Sequence, residues 1–369
     1  MKVTRLACAL SLVTVAALLL QPCRAAAQDA GGAVFAMTNA SSNNQIEAFH
    51  RLEDGSLEWM GAFRTGGNGS GGTLNPLHSQ GSLTLSTNHR LLFAVNAGSG
   101  TLSTFAVHGA QLTLLNTVST DGSMPTSVTQ VGDLVYVLNA GGNGSVSGFR
   151  ILGNGHLLRI KHSTRYLPDN VSAPTDIVLS PNGRFLIVTE SATNKIDVFR
   201  VLVNGRLSKP VTSNSAGAVP FAAAFASNGA LIVGNVSGSI SSYQVEYDQS
   251  LHVITNALAT QGKATCWDVI AKDGHAIYTD NTGAGTLSGF TIERNGTLTP
   301  IGGTVVGQVP AGSINIDIAA GDDGHYLYTL NTGTGSIGVF AVQRDGGLIS
   351  LGQKNGLLAS AGMNGIAAY

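Results

Sequence analysis

Charge is scarce in this sequence. Only 11% of its 369 residues are charged, Lys+Arg (20) and Asp+Glu (21) nearly cancel, and no stretch gathers basic side chains. A near-neutral chain without a Lys/Arg cluster lacks the electrostatic footprint of a nucleic-acid binder or of a protein drawn to an anionic membrane. Both partner classes are set aside. Cysteine is almost missing, with Cys8, Cys23 and Cys266 the only three. Long apolar runs are limited to one, Leu6 to Leu20, which is shorter than the roughly 20 residues a spanning helix needs. No membrane span is expected.

That single run has the flanks of a secretory signal. Lys2 and Arg5 precede it, and Ala25-Ala26-Ala27 offers the small residues of an A-x-A cleavage site. The expectation is a signal peptide over 1–27, a mature chain starting near Gln28, one domain over 28–369, and a secreted or periplasmic protein. Cys8 and Cys23 leave with the signal; Pro22 and Gln21 are poor neighbours for lipidation of Cys23. Cys266 alone cannot form an internal disulfide, so packing and ring closure must hold the mature chain together.

What is abundant is glycine, 48 residues, which suits many short strands and tight turns rather than long helices. A strand ending in an aromatic residue recurs: Gln45-Ile46-Glu47-Ala48-Phe49, Thr101-Leu102-Ser103-Thr104-Phe105, Ser145-Val146-Ser147-Gly148-Phe149 and Lys195-Ile196-Asp197-Val198-Phe199. Ser239-Ile240-Ser241-Ser242-Tyr243, Thr286-Leu287-Ser288-Gly289-Phe290 and Ser336-Ile337-Gly338-Val339-Phe340 complete the series. The aromatics are 56, 44, 50, 44, 47 and 50 residues apart, the period of a four-stranded blade. Leu57, Leu112, Leu157, Leu207, Leu251, Leu298 and Leu348 follow them at an offset of eight residues, or seven in the second copy. Several sit just after hairpin turns such as Asn154-Gly155.

The repeat starts out of phase. Ala33 to Asn39 reads as the second strand of a blade, and a spare inner strand, Asn364 to Ala368, follows the seventh copy. The fold class is therefore all-β: a seven-bladed β-propeller of four-stranded blades, closed by the C-terminal strand pairing into the first blade. Closure removes exposed sheet edges.

The segment His78-Ser79-Gln80-Gly81-Ser82-Leu83-Thr84-Leu85-Ser86, leading to Phe93-Ala94-Val95-Asn96, resembles the lactonase-type seven-bladed propellers. That family includes bacterial 6-phosphogluconolactonase and fungal carboxymuconate cyclase. Glu190-Ser191-Ala192-Thr193-Asn194-Lys195 and Cys266-Trp267-Asp268-Val269 look like an exported branch of it. The resemblance implies hydrolysis of a lactone. The chain departs from the family where a histidine should follow the proline opening an inner strand, since Thr175 follows Pro174. It departs again where a glutamate should follow an asparagine, since Gly234-Asn235 stands there.

In a propeller the starts of inner strands and the ends of second strands converge on one mouth, a favoured ligand position. Asp176, Asp268 and Asp317 begin three inner strands, with Ser82 and Ser127 in similar places. Glu190 and Asp280 lie near second-strand ends, so Asp176 and Glu190 are expected as cross-strand neighbours. Carboxylates crowded at one mouth raise one another's pKa and can activate water. Glu190 or Asp176 is the candidate base, Lys195 and His78 the candidate donors, and Asp268, Asp317, Ser82 and Ser127 the candidate substrate contacts. The other reading of these acids is local hydrogen bonding within loops.

No metal is expected, because the acids come from separate blades and the histidines show no ligand spacing. No cofactor is expected either, since the Gly66 to Gly72 loop does not open a helix. Cys266 is expected as a buried thiol. Two functions stay open: a monomeric exported hydrolase of a lactone or sugar lactone, and a non-catalytic propeller binding a carbohydrate or a protein.

Overall fold

The computed structural model describes residues 31–369, so the expected signal over 1–27 and the start at Gln28 lie outside the described residues. The described chain is all-β, with seven antiparallel sheets arranged as the blades of a propeller. Blade four shows the plan: inner strand Pro174–Leu179, then Phe185–Glu190, Lys195–Arg200 and outer strand Val211–Asn214. Blade three alone splits its outer strand, into Leu157–Arg159 and Arg165–Tyr166. Among the described residues no helix is long and apolar enough to cross a membrane.

The recurring side chains do what their period requires. Phe49, Phe105, Phe149, Phe199, Tyr243, Phe290 and Phe340 are all buried between sheets, and five of the seven landmark leucines join them. Each such side chain contributes about 1.5–3 kcal/mol on leaving water. Alternation divides every blade between its neighbours. Leu186, Val188 and Phe199 of blade four pack on Tyr136 and Leu138 of blade three, while Ile187, Ile196 and Val198 pack on Leu231, Val233 and Tyr243 of blade five.

The ring closes as the sequence suggests. Ile366–Ala368 forms the inner strand of blade one, pairing Ile366 with Ala36 and Ala368 with Val34. Tyr369 extends the seam, exchanging backbone hydrogen bonds with Ala33 and stacking on His89 of blade two at 5.3 Å. Arg51 of blade one pairs with Asp323 of blade seven at 2.8 Å.

One irregularity recurs where it matters for the site. Met124, Ala173, Val219, Ala264 and Ile314, each just ahead of an inner strand, adopt left-handed φ values between 43° and 60°. A bulge follows in the first residues of those same strands. In blade four it sets Pro174 opposite Glu190 and Asp176 opposite Thr189. The expected cross-strand pairing of Asp176 with Glu190 is therefore not found: Asp176 stands opposite Thr189, one place short of Glu190, and successive strand positions face opposite sides of the sheet.

Candidate functional site

The inner-strand acids act first as staples. Asp176 accepts from the Ser127 hydroxyl at 2.9 Å, from the Ile177 N–H at 2.8 Å and from the Ala223 N–H at 2.9 Å, tying blades three, four and five together. Asp317 repeats the arrangement, accepting from the N–H groups of Ile318 (2.9 Å) and Ile366 (3.1 Å) across the closing seam. Asp268 does not follow them. Trp267 pairs with Asp280 and Asp268 with Thr279, so Asp268 stands one residue later along its strand than Asp176 does. Its carboxylate turns onto Gly234, where a Cβ would come within 2.6 Å of Oδ2; only glycine leaves it room. Ser82 lies buried against Gly365 with its hydroxyl unpartnered.

The mouth these residues were expected to line is sealed above them. Residues ahead of the blade-two inner strand cross the ring: Gln80 exchanges two hydrogen bonds with the backbone of Asp268 in blade six (2.8 and 2.9 Å), and its N–H reaches the Thr175 carbonyl in blade four. Trp267 donates its indole N–H to the Ser79 carbonyl at 3.0 Å. Phe221 sits edge-on to Trp267, and His78 edge-on to Phe221. A cavity of about 230 Å³ remains among the inner strands of blades one, two, six and seven, lined in part by Gln80, Asp268, Asp317 and Ile366. Burial, with some charge repulsion from Asp176, raises Asp268 and Asp317 to about 7; burial alone raises Asp176 to about 7. Asp280 is raised well above the ordinary range by burial and by Asp317, and accepts from the Asn315 amide.

A different chemistry appears in blade four. Blades two, five and six end their second strand in an asparagine whose amide donates to a serine of the third strand: Asn96 to Ser103 (2.8 Å), Asn235 to Ser241 (3.3 Å) and Asn281 to Ser288 (2.8 Å). Blade four puts Glu190 in place of the asparagine and Asp197 in place of the serine. Thr193 donates to Glu190 Oε2 and Thr212 to Asp197 Oδ1, each at 2.5 Å. The remaining oxygens, Oε1 and Oδ2, are buried without a hydrogen-bond partner. Two acceptor-only carboxylates so close disfavour joint ionisation, which favours a proton on one of them. Burial, with the neighbouring Asp197 and Asp169 charges, raises Glu190 to about 7, and burial raises Asp197 as well. Over this pair, at the half-exposed rim, Lys195 forms an ion pair with Asp169 at 2.8 Å.

The structure thus joins Glu190 to Lys195 but separates both from Asp176, Asp268, Asp317, Ser82 and Ser127, which belong to the inner strands. His78, exposed on the seal but with one side of its ring packed edge-on to Phe221, is shifted toward its neutral form by that partial desolvation and shares no hydrogen bond or ion pair with the blade-four group. Asp197 and Asp169 were not among the expected site residues. The signal for Asp197 was present: the third residue of the repeated pentapeptide is Ser103, Ser147, Ser241 or Ser288 in four copies, and an acid in two, Glu47 and Asp197. Asp169 sits in a connection without a repeat, and only folding brings it to Lys195. Among the described residues no group of three or more His, Cys, Asp or Glu is placed to hold a metal ion. Cys266 is a buried thiol.

The chain matches the family described as "Lactonase, 7-bladed beta-propeller" over residues 77–310, well over half its length. No curated protein matches it. Among solved structures, a protein from Bacteroides fragilis assigned as a 6-phosphogluconolactonase superposes with a TM-score of 0.68 at 20% identity, covering 93% of this chain and 98% of that one. The periplasmic gluconolactonase of Pseudomonas aeruginosa superposes with a TM-score of 0.68 at 18% identity, covering 90% and 98%. A structure from Lactobacillus plantarum gives 0.70 at 19% identity, covering 92% and 98%. At these identities the superpositions establish the fold, and the family match adds the lineage: this chain belongs to the lactonase seven-bladed β-propeller family.

Proposed function

We propose that the protein is an exported hydrolase of a lactone, of the sugar-lactone class, and that its chemistry lies in blade four. The observation that carries this reading is the acid pair, Glu190 with Asp197, standing where four other blades keep a neutral amide and hydroxyl. A buried carboxyl pair costs stability and has no structural advantage over the asparagine–serine version. Glu190, poised at about 7, has the affinity a general base needs at neutral pH.

In this reading a lactone displaces Asp169 from Lys195 at the rim. Glu190, as carboxylate, takes a proton from water while the water oxygen bonds to the carbonyl carbon. The Lys195 ammonium stabilises the oxyanion. As the ring C–O bond breaks, the acid pair returns the proton to the departing ring oxygen, giving the open hydroxy acid. The family and the gluconolactonase among its structural relatives support the substrate class, and that relative's periplasmic location agrees with the signal-like 1–27 segment.

Screening aldonolactones by pH-stat tests the assignment. Glu190→Gln and Asp197→Asn are each expected to lower turnover by about 10²-fold or more, while Asp176→Asn lowers thermal stability and spares turnover. Wild-type turnover in Glu190→Gln would overturn it. The sealed mouth favours the competing reading, a propeller that binds without chemistry; no hydrolysis of any lactone in the screen would decide for it.

A further inference from the structure

The closing seam holds a second cavity, of about 500 Å³, that shares no residue with blade four. Glu47, Phe49 and Trp59 of blade one form one wall, and Lys354, Leu357 and Met363, from the end of blade seven and the link that follows, form the other. Trp59 is 55% exposed, while the chain's other tryptophan, Trp267, is 1% exposed. An indole left in water on an outer strand is unfavourable, yet this one is held in place: its N–H donates to Glu47 Oε2 at 2.7 Å. Among the described residues no aromatic or cationic group stacks on it, so a flat apolar face looks into the cavity.

Two further groups meet that face. Glu47 Oε1 and the Lys354 ammonium line the cavity without a hydrogen-bond or ion-pair partner among the described residues. An acceptor-only anion and a donor-only cation beside an aromatic plane suit a ligand with an apolar face edged by groups that both donate and accept. A pyranose ring has that pattern, its axial C–H bonds on one side and hydroxyls around the rim. Phe49 and Met363, both buried, supply the apolar floor, and the volume is in the ordinary range for a small-molecule site.

We propose that this seam is a carbohydrate-binding site that stacks a neutral pyranose on Trp59, with Glu47 and Lys354 contacting its hydroxyls. The bound sugar bridges blades one and seven, so it also strengthens ring closure by binding the folded ring alone.

Titration with cellotriose and with maltotriose, followed by tryptophan fluorescence and calorimetry, tests the site. A saturable blue shift with at least one sugar is expected, because Trp59 is the tryptophan that leaves water. Trp59→Ala should abolish the shift and weaken binding by at least about tenfold, and the sugar should raise Tm in the wild type but not in that variant. Aldonolactone turnover should be unchanged by Trp59→Ala, so failure here and failure of the blade-four assignment are separable. No heat and no shift up to the solubility limit of both sugars would overturn the proposal. So would a concentration-dependent dimer that Trp59→Ala dissolves, which would give the cavity to a second copy of the chain.

Discussion

Neither oxygen of Asp268 receives a hydrogen bond of normal geometry, although the Thr279 hydroxyl and the Gly234 N–H lie on its side. Burial therefore sets its behaviour, and Asp176 and Asp317 share the upward shift to about 7. In the unfolded chain such groups titrate near about 4. Between about pH 4 and pH 7 the folded chain thus retains protons that the unfolded chain has released. Their contribution is complete below the unfolded value and is lost as pH rises through about 7. Thermal melts followed by circular dichroism should accordingly give a higher Tm at pH 5 than at pH 8. Asp268→Asn keeps the shape and removes the charge. It should raise Tm at pH 8, on a scale of about 2–4 °C per kcal/mol gained, with little change at pH 5. A lower Tm at pH 8 would show that Asp268 has a partner the geometry does not reveal.

At the same scale the sequence was informative about residue type and weak about direction. Glu190 could be singled out by its place near a second-strand end, with Lys195 as a cation close by, and the fold pairs the two across adjacent strands. The expectation that Asp176 faces Glu190 failed because it needs the cross-strand register to the residue, and Asp176 stands opposite Thr189 instead. A slip of one position in a strand reverses every side chain after it, and no composition or period records it. Asp268 fails for the same reason: it reads like Asp176, yet stands one place further along.

The element that decides access is the segment before the blade-two inner strand. Gln80 spans from blade two to blade six with both ends of its amide engaged on Asp268, a reach of 188 residues in sequence. Gln80→Ala removes both bonds and leaves the Asp268 N–H unpaired, a loss of about 1–3 kcal/mol. Urea unfolding should show that loss, and hydrogen exchange should show faster exchange at Asp268 with blade four unchanged. Equal protection in the variant would mean that Trp267 and Phe221 close the mouth by themselves. Strand positions were legible because aromatic and leucine landmarks recur at blade spacing. The seal was not, because it occurs once and has no second copy to compare with.

For the molecule as a whole, stability rests on a seam built from both ends of the described chain. Removing Asn364–Tyr369 would leave the inner edge of Ala33–Met37 without its partner and would unseat Asp317 from the Ile366 N–H. The truncated protein should melt at lower temperature and should associate, since an unpaired strand edge invites pairing between molecules. Light scattering and melting curves would show it. A monomer of unchanged Tm would mean that closure contributes little.

The same seam imposes an order on biosynthesis. Val34 is among the first described residues to be made, and its partner Ala368 is next to the last. Ile366–Ala368 must therefore be made before the first sheet can be finished. Until then the nascent polypeptide is held back from its final form.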